Sequence, residues 1–135
     1  FDLNIFFSGQ YGHYIYSNTA NAFFTAGSLA NGRNVTKDVV GNGEGKLNAP
    51  DVSTRFLEKG NFTRLQNLTL GYNLPMNNKI ISSLRLYING NNLFVITKYK
   101  GIDPEINQGG ASLGVDYNSF YPKTRTILLG VSVGF

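Results

Sequence analysis

The last nine residues, Ile127 to Phe135, alternate without a break: Ile127, Leu129, Val131, Val133 and Phe135 stand at odd positions, Leu128, Gly130, Ser132 and Gly134 at even ones. A period of two is the strand period, and a slip of one residue would carry the whole apolar set to the opposite face. Three earlier segments show the same alternation. Phe1, Leu3, Ile5 and Phe7 oppose Asp2, Asn4, Phe6 and Ser8; Phe62, Leu68, Leu70, Tyr72 and Leu74 oppose Asn67, Thr69, Gly71 and Asn73; Leu84, Leu86 and Ile88 oppose Arg85, Tyr87 and Asn89. Four strands are therefore expected, over about 1–9, 58–74, 83–97 and 120–135. In the third, parity fails at "INGNNLF", where Asn92 falls on the apolar side and Leu93 and Val95 on the polar side. A β-bulge near Gly90 to Asn92 would restore it.

Composition points the same way. The 135 residues include 16 Gly, 8 Tyr and 10 Phe, a helix-poor mixture usual in β-proteins. Cysteine is absent, which excludes disulfides, thiolate metal sites and a cysteine nucleophile. The net charge of +4 comes from scattered cations, the closest groups being Lys98/Lys100 and Lys123/Arg125. Such scatter is expected of solvated strand ends, and no nucleic-acid partner is expected. No apolar run reaches the ~18 residues of a membrane helix. Mean hydropathy is −0.15, and a membrane β-barrel would give the same result because its strands average out. The chain opens on Phe1, already inside a strand, so a C-terminal piece of a larger protein is expected.

The connections are unequal. A short turn, "PMNNKIIS", joins the second and third strands, whereas about 10–57 and 98–119 are long loops. "SNTANAFFTAG" in the first loop suggests one short helix. Alternating short turns and long loops is the pattern of outer-membrane barrels, with short periplasmic turns and long extracellular loops. The fold class expected is all-β, four antiparallel strands of a transmembrane β-barrel. Parity then places Arg64, Lys123 and Arg125 toward lipid at the extracellular ends, where lipid phosphates at the outer rim would be their partners. Asn67, Thr69, Asn73, Arg85, Asn89 and Ser132 would face the lumen.

Three stretches carry a family resemblance: "FLEKGNFTRLQNLTLGYNLP" (56–75), "LRLYINGNNLFVITKYKGIDPEI" (84–106) and "GVDYNSFYPKTRTILLGVSVGF" (114–135). In that order and near that spacing they resemble the C-terminal end of SusC/RagA-type TonB-linked outer-membrane proteins, and "FFSGQYGHYIYSN" resembles the strand and loop before it. The resemblance covers nearly the whole chain. It implies the last four strands of a 22-stranded barrel with a plugged lumen, in the bacterial outer membrane. It also implies import of a glycan or peptide nutrient, a SusD-like surface lipoprotein as lid, and energy from TonB through segments outside this sequence. No enzyme activity and no cofactor are implied. The stripe Ile127, Leu129, Val131, Val133 and Phe135 resembles the signal that barrel-assembly machinery reads by β-augmentation, and equally an ordinary lipid-facing strand ending in an aromatic girdle.

Other candidates are weaker. Tyr11, Tyr14, Tyr16, Phe23 and Phe24 would stack on a ligand or on the lid protein, or pack the loop against itself. Asp103 and Glu105, with Pro104 fixing a turn, suggest a structured loop base. "GNGEGKLNAPD" lacks the acid-rich spacing of a calcium loop. With His13 the sole histidine, no catalytic site and no metal site is expected. Two rival readings stand beside the importer: a soluble carbohydrate-binding β-domain and an outer-membrane enzyme on a smaller barrel.

Overall fold

A computed structural model of the chain describes residues 1–45, 52–76, 80–106, 114–117 and 121–135. In chain order its strands are β1 (Asp2–Gln10), β2 (Tyr14–Ser17), β3 (Leu57–Lys59), β4 (Phe62–Leu74), β5 (Ser83–Thr97), β6 (Val115–Asp116) and β7 (Thr126–Gly134). Two short helices, α1 (Asn18–Phe23) and α2 (Ala26–Ala30), occupy the place where one was expected. Ser17 caps α1, its Oγ accepting from the Ala20 N–H at 3.3 Å. No helix among the described residues is long and apolar enough to cross a membrane.

The chain divides into two compact units. Unit one comprises Phe1–Gln10, Phe62–Thr97 and Lys123–Phe135. It is a four-stranded antiparallel sheet in the order β1-β4-β5-β7. Unit two comprises Tyr11–Asn61 and Lys98–Pro122 and carries a three-stranded sheet in the order β3-β2-β6.

The ladders of unit one assign every side chain to a face, because residues directly opposite share one. One face takes Leu3/Leu70/Ile88/Leu129, Ile5/Leu68/Gly90/Ile127, Tyr72/Leu86/Val131 and Leu74/Leu84/Val133. Phe1 stacks on Tyr72 on this face at 4.5 Å between ring centroids. The other face takes Asn4/Thr69/Asn89/Leu128, Phe6/Asn67/Asn91/Thr126 and Asn73/Arg85/Ser132. There four side chains close a ring of hydrogen bonds. Asn67 Nδ2 donates to Asn91 Oδ1 (2.8 Å), Asn91 Nδ2 to Asn89 Oδ1 (2.9 Å), Asn89 Nδ2 to Thr69 Oγ1 (2.6 Å) and Thr69 Oγ1 to Asn67 Oδ1 (3.2 Å).

On the same polar face Asp2 of β1 and Arg85 of β5 form an ion pair across β4. They meet over Gly71, where a Cβ would lie 2.5 Å from Asp2 Oδ1 and 2.6 Å from Arg85 Nη2. Gly130 has a similar use: a Cβ there would overlap the Tyr87 ring.

The bulge expected near Gly90 to Asn92 is present but wider. Between one level and the next, β1 advances from Phe6 to Phe7, β4 from Asn67 to Leu65, and β5 from Asn91 to Phe94. Asn92 takes the left-handed conformation (φ 51°), which asparagine tolerates better than most residues. A single extra residue, Gln66, flips the parity of β4 on its Phe62–Leu65 side. The two extra residues Asn92 and Leu93 leave that of β5 unchanged. Phe94 therefore stays on the apolar face, edge-on to Phe7 at 6.5 Å. Val95 remains on the polar face with Ser8 and Arg64.

Two expected strands are shorter than the sequence suggested. The segment 58–74 is broken at Gly60 and Asn61: β3 pairs within unit two and β4 within unit one. Gly60 is buried, its N–H donates to the His13 carbonyl at 3.0 Å, and any Cβ would run into the His13 ring. Pairing of the last strand begins at Thr126, not Phe120. Pro122 has no N–H to offer, Asn92 Nδ2 binds the Thr124 carbonyl at 3.3 Å, and 118–120 lie outside the described residues.

A valine at Gly71 would push Asp2 and Arg85 apart. Gly71→Val in the full-length protein is expected to destabilise the folded state by about 1–3 kcal/mol. The change should appear as an earlier heat-modifiability transition on a semi-native gel.

Candidate functional site

Unit two is built on β2, whose residues alternate between exposed Tyr14, buried Ile15, half-buried Tyr16 and buried Ser17. Against it β3 runs antiparallel, pairing Ile15 with Glu58, and β6 runs parallel, pairing Ser17 with Asp116. Beside this sheet lies a cleft of about 610 Å³, bordered by Thr19, Phe24, Arg55, Phe56, Glu58, Lys100 and Asp116 among others. The turn Thr54–Phe56, held by the Ser53 side chain accepting from the Arg55 N–H at 3.3 Å, brings Arg55 and Phe56 to the rim.

Both acids at the border accept hydrogen bonds, and Arg55 is ion-paired. Asp116, 5% exposed, accepts from the Tyr99 hydroxyl at 2.5 Å and from Thr19 Oγ1 at 3.4 Å. Burial, and then the bond to Asp116, raise the Tyr99 pKa far above the usual phenol range, so the hydroxyl stays a donor. Glu58 accepts the Lys100 N–H at 3.1 Å. Arg55 binds Glu44 at 2.9 Å and lies 5.2 Å from the Phe56 ring centroid. The Arg55 hydrogen bond, and then that from Asn42, hold the Glu44 carboxyl below its ordinary range. At the loop base Asp103 is buried and accepts the Glu105 N–H at 2.9 Å, an Asx turn around Pro104.

The five loop aromatics do not form one site. Only Phe24 borders the cleft. Tyr11 and Tyr14 are exposed, Tyr16 is half-buried, and Phe23 has the Arg33 guanidinium at 5.0 Å from its ring. Arg55, Glu58 and Asp116 carry no spacing signature in the sequence, and Lys100 stands out there only beside Lys98; the β2 pairings bring Glu58 and Asp116 together. On unit one, Ile127, Leu129, Val131 and Val133 share the exposed apolar face, and Phe135 follows the last strand, 90% exposed. Lys123 and Arg125 are exposed just before β7.

Arg64 is a correction. The Gln66 bulge moves it to the polar face opposite Ser8 and Val95, where it is 4% exposed and lies 6.0 Å from the Phe62 ring. The lipid-facing position expected from uninterrupted parity does not hold for this residue. Among the described residues no group of His, Cys, Asp or Glu side chains is arranged to hold a metal.

The Glu44–Arg55 tie should depend on pH in one direction. Because the folded-state pKa of Glu44 is lowered, the tie contributes fully above the ordinary carboxylate range and is lost as pH falls through the lowered value. Hydrogen exchange across 42–45 and 53–56, corrected for intrinsic rates, is expected to speed up on acidification to about pH 3. In Glu44→Gln it should already be fast at neutral pH.

No protein-family model matches the chain. Along its whole length it is 30% identical to TonB-dependent receptor P3 of Formosa agariphila and 32% identical to TonB-dependent receptor SusC of Bacteroides thetaiotaomicron. It spans 15% and 14% of those proteins. The RagAB peptide importer in its closed-closed state contains a chain that matches 98% of this one at 31% identity with a TM-score of 0.78, over 15% of its own length. The open-open state gives 27% identity and a TM-score of 0.76. With its antiparallel sheet matched on the importer chain and its full length aligned to these receptors, the chain belongs to the SusC/RagA family of TonB-dependent outer-membrane receptors.

Proposed function

We propose that the protein containing this chain imports a nutrient, a glycan or a peptide, across the bacterial outer membrane as the barrel component of a SusC/SusD-like TonB-dependent transporter. The carrying observation is a sheet with one exposed apolar face and one face of hydrogen-bonded polar side chains, in a chain belonging to this receptor family. On β5 the apolar set runs from Leu84 to Ile96, roughly 35 Å of strand. At barrel tilt that covers roughly 25 Å, the height of an outer-membrane apolar band. The rival reading as a soluble carbohydrate-binding domain leaves Leu129, 82% exposed, and its apolar neighbours in water.

In this reading β1, β4, β5 and β7 are barrel wall, and the segments around 10–57 and 98–119 are extracellular. The loops, with exposed Tyr11 and Tyr14, meet a SusD-like lipoprotein. Lys123 and Arg125 meet lipid phosphates at the outer rim. Ile127, Leu129, Val131, Val133 and Phe135 form the assembly signal. TonB engages a part of the protein outside this sequence.

Deleting the gene should abolish growth on at least one polysaccharide or peptide mixture as sole nutrient, and deleting tonB should do the same. Normal growth of the deletion strain across a complete panel of both would sink the reading. Face assignment is checked by adjacent residues. Leu129→Lys, on the apolar face, should cost about 2–4 kcal/mol if near mid-depth and lower the yield of folded protein in the outer membrane. Leu128→Lys, on the polar face, should have a much smaller effect.

A further inference from the structure

An asparagine followed by glycine can react with itself, because a glycine has no side chain to keep its nitrogen from closing on the carboxamide carbon in front of it. The sequence holds three such pairs, Asn31–Gly32, Asn42–Gly43 and Asn89–Gly90. The fold treats them differently. Asn89 and Gly90 lie in β5, paired with Thr69 and Leu68 on one side and with Leu128 and Ile127 on the other, and the Asn89 carboxamide is bonded to Thr69 and Asn91. Asn31 closes α2; the Gly32 N–H donates to the Leu29 carbonyl at 3.1 Å, and Asn31 Nδ2 donates to the Gly27 carbonyl at 3.4 Å. At both places a hydrogen-bonded arrangement must open before the glycine nitrogen reaches its target.

Asn42 and Gly43 are free of that restraint. Both are exposed, Gly43 stands at φ 81°, and a Cβ there would meet nothing within 4 Å, so the space around the reacting atoms is open. The Gly43 N–H takes no part in the turn and loop hydrogen bonds among the described residues. The Asn42 carboxamide is held beside the backbone that follows it: Oδ1 accepts the Glu44 N–H at 2.8 Å, and Nδ2 donates to Glu44 Oε2 at 3.2 Å. The first of these bonds bears on the chemistry. Attack on Cγ drives electrons onto Oδ1, and a backbone N–H already aimed at that oxygen stabilises the charge as it develops.

We propose that Asn42 is a self-modification site, at which the Gly43 nitrogen attacks the carboxamide and the residue is converted into aspartate and isoaspartate. In the first step the bond from the Gly43 nitrogen to Cγ forms and the bond from Cγ to Nδ2 breaks. Ammonia leaves with the proton given up by the Gly43 nitrogen, and a cyclic imide remains. Water then opens the ring at either carbonyl, giving aspartate or, with the backbone rerouted through Cγ, isoaspartate; nothing is oxidised or reduced. Each event replaces a donor to Glu44 with a second carboxylate. Glu44 loses the Asn42 hydrogen bond, Arg55 gains a competing acid, and the Glu44–Arg55 tie loosens. The inference is independent of what the protein imports.

The test follows the full-length receptor in detergent over days at mildly alkaline pH, with peptide mapping by mass spectrometry and labelling by an isoaspartyl methyltransferase. Asn42 is expected to react roughly tenfold faster than Asn31 or Asn89, the difference that one hydrogen bond to be released makes. In the protein unfolded in urea the three sites should converge, and Asn42 should be no faster than in the folded protein. Glu44→Ala keeps the backbone N–H and should leave the rate within about twofold, whereas Glu44→Pro removes it and should slow the reaction roughly tenfold. Hydrogen exchange across 53–56 should rise in step with the modified fraction. Heat-modifiability checks that each variant is folded; if the proline variant is not, the ranking of the three sites and the comparison with urea decide. Absence of reaction at Asn42, equal rates at the three sites in the folded protein, an Asn42 rate that rises on unfolding, or product without isoaspartate overturns the proposal. Equal rates in the folded proline and alanine variants overturn the role of the Glu44 N–H, and exchange at 53–56 indifferent to the modification overturns the loosening.

Discussion

A strand residue belongs to one face of its sheet or the other, and each ladder passes that assignment to the next strand. In this chain the constraint is severe, because the two faces are chemically unlike: Leu3, Leu70, Ile88 and Leu129 form one row, Asn4, Thr69 and Asn89 the next. Everything else in unit one follows from keeping the rows in register. The ring of Asn67, Asn91, Asn89 and Thr69 exists because two adjacent rows on neighbouring strands present donors and acceptors at matching heights. The aromatic contacts, Phe1 with Tyr72 and Phe7 with Phe94, lie on the other side for the same reason.

Parity was legible in the sequence wherever the strands are regular. It located four strands, the two chemically distinct faces and the irregularity after Gly90. It did not reveal how many residues the irregularity absorbs, because that is set between strands. Gln66 looks unremarkable in "TRLQNLT", and only the steps of β1 and β5 beside it show that β4 spends an extra residue there. Arg64 lies on the polar face for that reason alone.

Unit two was much less legible. Its strands are as short as two residues, one pairing is parallel, and its contacts join positions up to 99 apart, as with Ser17 and Asp116. Short strands carry too few residues for a period to show. The aromatic residues drew notice as a type, yet four of the five have other settings. The charged rim is assembled from a 3-10 turn, a strand and a loop, with no spacing signature to find.

The ion pair of Asp2 and Arg85 has one further consequence. Its partners belong to strands that are not neighbours, and they meet only over the bare backbone of Gly71. The contact cannot form until β1, β4 and β5 are aligned together, so it reports on three strands at once. A one-residue shift of β1 against β4 would turn Asp2 to the apolar side and leave Arg85 without it. The pair thus acts as a check on alignment, closing only when the wall has been laid in the right order and at the right height.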